Sequence, residues 1–173
     1  MSDYGQQLAM TPLGKELGQA DAAALAAVMT PVHAKQGEAL FEKGAAADAL
    51  YVVLQGAFSV MIDVELSVAI LGPGSVVGEL EVMTGGLRMA SVVATEESTC
   101  LRLSAAILRE KPVEHAAILS RLVDIIAKVL AVRLAAVNEK LAAAWCLATK
   151  ASEENAGEVI ESVREVLDDV WRW

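Results

Sequence analysis

Between Val77 and Val92 the chain reads VGELEVMTGGLRMASV. A glycine turn at Gly78 leads into a short helical run, Gly85 and Gly86 form a second turn, and Arg88 passes at once into a strand. A helix start leaves backbone N–H groups without intrahelical partners, which suits an anion. An arginine beside it presents a planar fork that meets a phosphate with two hydrogen bonds. Glu79, directly after Gly78, is placed to accept hydrogen bonds from sugar hydroxyls, and Gly78 lets the backbone approach a ligand closely. A phosphate seat, a sugar acceptor and an apolar surround together describe a nucleotide site.

Three blocks position this stretch. An Ala-rich lead-in over 11–30 is expected to be helical, with Asp21 as its cap. From 31 to 104 the period shortens. Tyr51-Val52-Val53-Leu54 is an apolar run, Phe58, Val60 and Ile62 alternate with Ser59 and Met61, and Val68, Ile70, Val92, Val93, Cys100, Leu101 and Leu103 continue the pattern. Glycines punctuate these runs, which predicts short antiparallel strands in a sandwich or barrel. From about 105 the period is helical, with Ile118, Leu122, Ile125, Ile126, Val129, Val132 and Leu134 near i, i+3, i+4 and i+7 spacing after a break at Pro112. The order is α+β.

The stretch from Gly78 resembles the phosphate-binding cassette of cyclic-nucleotide-binding domains, whose pattern runs roughly F-G-E-L-A-L-x(4)-P-R-x-A-[ST]-V. Gly78, Glu79, Leu80, Arg88, Ala90, Ser91 and Val92 match without a gap. Upstream, GEALFEKG from Gly37 to Gly44, ADALYVVLQG from Ala47 to Gly56 and LGPGS from Leu71 are similar to the family's opening strands and to the turn before the cassette. The resemblance implies an eight-stranded antiparallel β jelly roll flanked by an N-terminal helix and a long C-terminal helix. The nucleotide-binding domain would then span 11–148, the long helix included, with 149–173 as an acidic amphipathic helix. It also implies a ligand set: Arg88 on the cyclic phosphate, Glu79 on the ribose 2′-OH, Gly78 and Leu80 shaping the pocket, and backbone N–H groups near Met89, Ala90 and Ser91 completing the phosphate seat. Replacing Arg88 is expected to weaken phosphate binding and to leave the fold intact.

This chain departs from the pattern at several points. Leu87 stands where the family usually has proline. Glu81 replaces a small or apolar residue close to the phosphate seat, where an inward carboxylate would repel an anion and an outward one would be screened. Met89 stands where cGMP-selective members often carry a threonine, which favours cAMP over cGMP. Catabolite activator proteins read adenine with a Thr-Ser pair on the long helix. Arg133-Leu134 falls at that position here, so Leu134 would cap the base or Arg133 stack on it. These departures also support an alternative, a degenerate roll that binds no nucleotide and serves as a scaffold for dimerisation or partner docking. Glu79 and Arg88 oppose it.

In the same family the long helix pairs with its twin, which predicts a homodimer through 118–141; Glu at Ile126 and Val129 would then give a soluble monomer. The last apolar stripe, 158–171, is expected to dock on the domain or on a protein partner. Composition narrows the rest. With a formal net charge of −9, and an acidic segment after Lys150 too short for a helix-turn-helix reader, no direct DNA binding is expected. Hydrophobic residues reach 55%, yet charges interrupt each apolar run before the ~18 residues of a membrane span, and MSDYGQQLAM does not start like a signal peptide. A cytoplasmic location follows, with Cys100 and Cys146 as reduced core thiols. His33 and His115 are the only histidines and form no H-x-H pair, so neither a metal site nor any catalytic constellation is expected. The reading is a sensing domain that is not an enzyme and needs no cofactor beyond its ligand, cAMP or, second, cGMP.

Overall fold

The computed structural model describes residues 3–63, 66–110 and 112–148, with side chains as far as 143 in the last helix. The expectations for 149–173 lie outside the described residues.

Helix α1 Asp3–Met10 precedes the expected lead-in, and the lead-in itself is two short helices, α2 Pro12–Leu17 and α3 Gln19–Ala27. Thr11 caps α2, its hydroxyl accepting from the Gly14 N–H at 3.1 Å, and Pro12 opens the helix where a missing N–H is harmless. Gly18, at φ 84°, turns the chain between α2 and α3. Asp21 therefore caps nothing. It lies in the first turn of α3 and pairs with Arg121.

Eight strands follow: β1 Thr30–Ala34, β2 Ala39–Phe41, β3 Ala49–Gln55, β4 Phe58–Asp63, β5 Leu66–Leu71, β6 Val76–Val77, then helix α4 Glu79–Thr84, then β7 Ser91–Ala94 and β8 Ser98–Ser104. They form two four-stranded antiparallel sheets, in the orders β1-β8-β3-β6 and β2-β7-β4-β5. This is the jelly roll that the resemblance implies.

Two apolar cores explain why β3 is an unbroken apolar run. Every side chain from Ala49 to Leu54 is buried. Successive residues face opposite sides of a strand. Leu50, Val52 and Leu54 meet the helices, in a cluster with Leu13, Leu25, Leu101 and Leu122. Ala49, Tyr51 and Val53 face the roll interior with Phe58, Val60, Leu71 and Val92. Cys100 belongs to this second core, where burial pushes its thiol up to about 12, away from thiolate chemistry.

After α5 Ala105–Glu110, Pro112 and a 3₁₀ turn Val113–His115, the chain enters α6 Ala116–Ala148, 33 residues long. The dimer seam expected along 118–141 needs correction in its first half. Ile118, Leu119, Leu122, Ile125 and Ile126 are buried against the chain's own helices and first sheet. Past Leu130 the helix instead exposes Val132 at 70%, Leu134 at 62% and Leu141 at 58%. Ile126→Glu should thus destabilise the fold by at least about 3 kcal/mol in urea denaturation, rather than yield a soluble monomer. An unchanged urea midpoint would mean that α6 is not docked through this face.

Candidate functional site

The site is assembled where β6 ends. Gly78 adopts φ 73°, and α4 runs from Glu79 until Gly85, at φ 77°, stops it with its N–H on the Glu81 carbonyl. The backbone at Arg88 is pinned to the β2–β3 connection: Gly44 N–H donates to the Arg88 carbonyl at 2.8 Å, and Arg88 N–H to the Ala45 carbonyl at 2.9 Å. The cassette and the segment upstream of β3 are therefore joined by direct hydrogen bonds.

Arg88 is the most enclosed charge of the site, its side chain wholly shielded from solvent. Nη1 donates to the Gly78 carbonyl at 2.8 Å and Nη2 to the Ala49 carbonyl at 2.5 Å. The Glu81 carboxylate lies 3.6 Å from Nη1 and that of Asp48 3.9 Å from Nη2, while the Phe41 ring sits 4.0 Å beneath the guanidinium carbon. Among the described residues, Nε has no acceptor. Gly78 is required at this point. A Cβ there would stand 2.4 Å from Arg88 Nη1 and 3.1 Å from the Phe41 ring, in a left-handed backbone conformation that side chains avoid. The sequence led to an expected close approach of Gly78 to a ligand; the group that the structure brings close to it is Arg88. The expectation that the fold is indifferent to Arg88 does not fit these partners: the guanidinium donates to one part-buried and one buried carbonyl beside a carboxylate, so its replacement should cost stability.

Glu79 is 2% exposed, and its carboxylate accepts from Arg133 Nη1 of α6 at 2.9 Å. Burial holds the Glu79 carboxyl above the ordinary carboxylate range, even though Arg133 pulls it down. Arg133, expected as a base contact, is thus joined to Glu79, the residue expected to accept from the ribose. The remaining expected residues divide. Leu80 and Ala90 line the cavity with Phe41, Val77 and Val92. Met89 is 61% exposed and reaches the site through its N–H, which donates to Glu81 at 3.2 Å. The Ser91 hydroxyl accepts from Lys43 N–H at 2.9 Å and faces a groove of about 550 Å³ that Ser59, Met61 and Thr95 also line. Leu134 is not among the residues lining the cavity. Phe41, Asp48 and the Ala49 carbonyl were not singled out beforehand. Phe41 and Asp48 lie inside the quoted upstream motifs, where an acid before an apolar strand was the available signal. The Ala49 carbonyl has no signature in sequence.

The cavity between Gly78–Glu81 and the inner face of the second sheet measures about 30 Å³, far below the roughly 300–1,000 Å³ of a ligand pocket. In this form the cavity is too small to hold a nucleotide. Among the described residues no group of three or more His, Cys, Asp or Glu side chains gathers to hold a metal ion, and no helix is long and apolar enough to cross a membrane.

Residues 31–112 match the family model described as the cyclic nucleotide-binding domain. These residues belong to that family. The cyclic nucleotide-binding domain has similar relatives in very different proteins. The cAMP-dependent protein kinase type II regulatory subunit of Drosophila melanogaster is 34% identical over 95 residues, 53% of this chain and 25% of that one. The chain covers about a quarter of the length of the curated relatives it matches, 25% or 26% of each. Among solved structures, the N-terminal domain of a transcriptional regulator from Streptomyces coelicolor A3(2) is 29% identical with a TM-score of 0.56, over 70% of this chain and 92% of that one. A cyclic nucleotide-binding domain from Methylobacillus flagellatus shares the fold at 21% identity and a TM-score of 0.64, over 76% of each chain.

Proposed function

We propose that this cyclic nucleotide-binding domain is a regulatory, non-catalytic sensor of cAMP in the cytoplasm, and that it reports occupancy to α6 through the Glu79–Arg133 pair. That pair is the observation that carries the reading. One carboxylate is both the expected acceptor for the ribose 2′-OH and the anchor, at 2.9 Å, of a side chain on the long helix. A sugar hydroxyl donating to Glu79 competes with the guanidinium, so ligand binding and the position of α6 share one group. The phosphate would take Arg88 and the N–H groups at Met89 and Ala90, with Leu80 against the sugar and Leu134 against the base, since Arg133 is engaged by Glu79. Met89 in place of a hydroxyl favours adenine, with cGMP the weaker ligand.

Calorimetry with cAMP and cGMP, together with hydrogen exchange of α6 amides, tests this. Tighter binding of cAMP and faster exchange in the half of α6 beyond Leu130 are expected. A second reading, the non-binding scaffold, draws on the 30 Å³ cavity, and heatless titrations at millimolar cAMP and cGMP would establish it in place of the sensor. Either reading accommodates a homodimer through the exposed Val132 and Leu141. Light scattering should give about twice the chain mass, falling to one in Leu141→Glu, since a charge at an apolar interface is disfavoured. A wild-type monomer at high concentration would end that proposal.

A further inference from the structure

We propose that Glu81 is a built-in anion seated in the phosphate subsite, and that it sets how strongly the site prefers a nucleotide over the corresponding nucleoside. This rests on the sensor reading above. The phosphate subsite offers two kinds of donor, the Arg88 guanidinium and the N–H following it. Both already address a carboxylate: Glu81 Oε1 accepts from Met89 N–H at 3.2 Å, and Oε2 lies 3.6 Å from Arg88 Nη1. The Glu81 side chain is only 11% exposed and lines the same cavity as Gly78, Glu79 and Ala90. The two other acids nearby are engaged differently: Asp48, 3.9 Å from Arg88 Nη2, is 65% exposed and shares itself with Arg102 at 2.7 Å, and Glu79 accepts from Arg133 at 2.9 Å.

A phosphodiester entering the subsite therefore meets an arginine whose charge is already balanced by Glu81. The diester and the carboxylate then compete for Nη1 and for the Met89 N–H, and two anions held a few ångströms apart in a partly desolvated site repel strongly. Binding requires Glu81 to swing out of the subsite. The diester then inherits its two donors together with Arg88 Nε, which has no acceptor among the described residues. A nucleoside has the ribose hydroxyls for Glu79 and no phosphate, so it does not meet this competition. Glu81 thus narrows the margin between cAMP and adenosine.

The test is calorimetric titration of wild type, Glu81→Ala and Glu81→Gln with cAMP and with adenosine. Glu81→Gln keeps the shape and an acceptor for the Met89 N–H, so it carries the comparison if the alanine variant loses its fold in thermal melting. Both folded variants should bind cAMP at least about tenfold more tightly than wild type, while adenosine changes less than about twofold. Wild type that binds adenosine, and cAMP only after substitution, is the extreme form of the same result. Variants that bind cAMP no tighter than a cAMP-binding wild type overturn the role of Glu81 and leave the sensor reading standing. Equal tightening for adenosine overturns it as well, since that would be general loosening of the cavity. If none of the three proteins binds either ligand, the sensor reading fails and this inference with it.

Discussion

Arg88→Leu should lose about 3–5 kcal/mol of folding stability and, in whatever fraction remains folded, about 2–5 kcal/mol of cAMP affinity. The two effects share one cause. The guanidinium has no solvent exposure and holds the Gly78 and Ala49 carbonyls, the Glu81 carboxylate and the Phe41 ring together. A leucine fills much of the volume, but removes the donors that the guanidinium gives to the part-buried Gly78 and buried Ala49 carbonyls and leaves Glu81 without its counter-charge. The phosphate, desolvated on entry, would then face Glu81 alone. Arg88→Lys separates the contributions. One ammonium keeps the charge beside Glu81 but cannot serve both carbonyls and a phosphate, so stability should fall less than in the leucine variant while cAMP binding stays strongly reduced. Urea denaturation and calorimetry read the two quantities independently. A leucine variant with the wild-type urea midpoint would show that the fold does not lean on this arginine, and one with wild-type cAMP affinity would remove Arg88 from the ligand site.

Local pattern made an antiparallel sandwich or barrel readable, because period-2 runs broken by glycines favour short antiparallel strands, and the resemblance of the cassette narrowed it to the roll. Its helical flank was read less well. The Ala-rich lead-in has no periodic break at Gly18, and its division into α2 and α3 depends on a positive φ that composition does not announce. The α6 stripe shows a different limit. Helical spacing of apolar residues cannot say whether a face meets its own domain or a twin, and here Leu122, Ile125 and Ile126 face the chain's own core. At the site, Gly78, Glu79 and Arg88 were identifiable by residue type and spacing, whereas their partners are long-range. Arg133 is 54 positions from Glu79, and Ala49 is 39 from Arg88. Only the fold brings them together. Glu81 was visible as a departure from the cassette pattern, but its inward direction was not.

Arg133→Met should leave cAMP affinity unchanged or increase it, and should speed hydrogen exchange in the half of α6 beyond Leu130 even without ligand. Glu79→Ala should instead weaken cAMP by about 1–3 kcal/mol, the scale of a lost hydrogen bond to a charged group. The opposite signs arise because the two residues contact each other but only Glu79 is asked to meet the ribose. In the doubly substituted chain, cAMP should no longer alter α6 exchange, since the shared carboxylate and its helix partner are both gone. Proton linkage gives a separate readout. Burial raises the folded-state value of the Glu79 carboxyl above its unfolded one, so protonation favours the folded form. The stability Glu79 contributes is therefore fully present below the unfolded carboxyl value, about 4.3, and is lost as pH rises through the raised folded value. Removing Arg133 takes away the interaction that pulls this carboxyl down, so in Arg133→Met the loss should shift to higher pH, and in Glu79→Gln it should vanish. Denaturation midpoints measured across acid to neutral pH would show this. If Arg133→Met leaves the pH profile where it was, or slows exchange in α6, the pair does not couple the pocket to the helix.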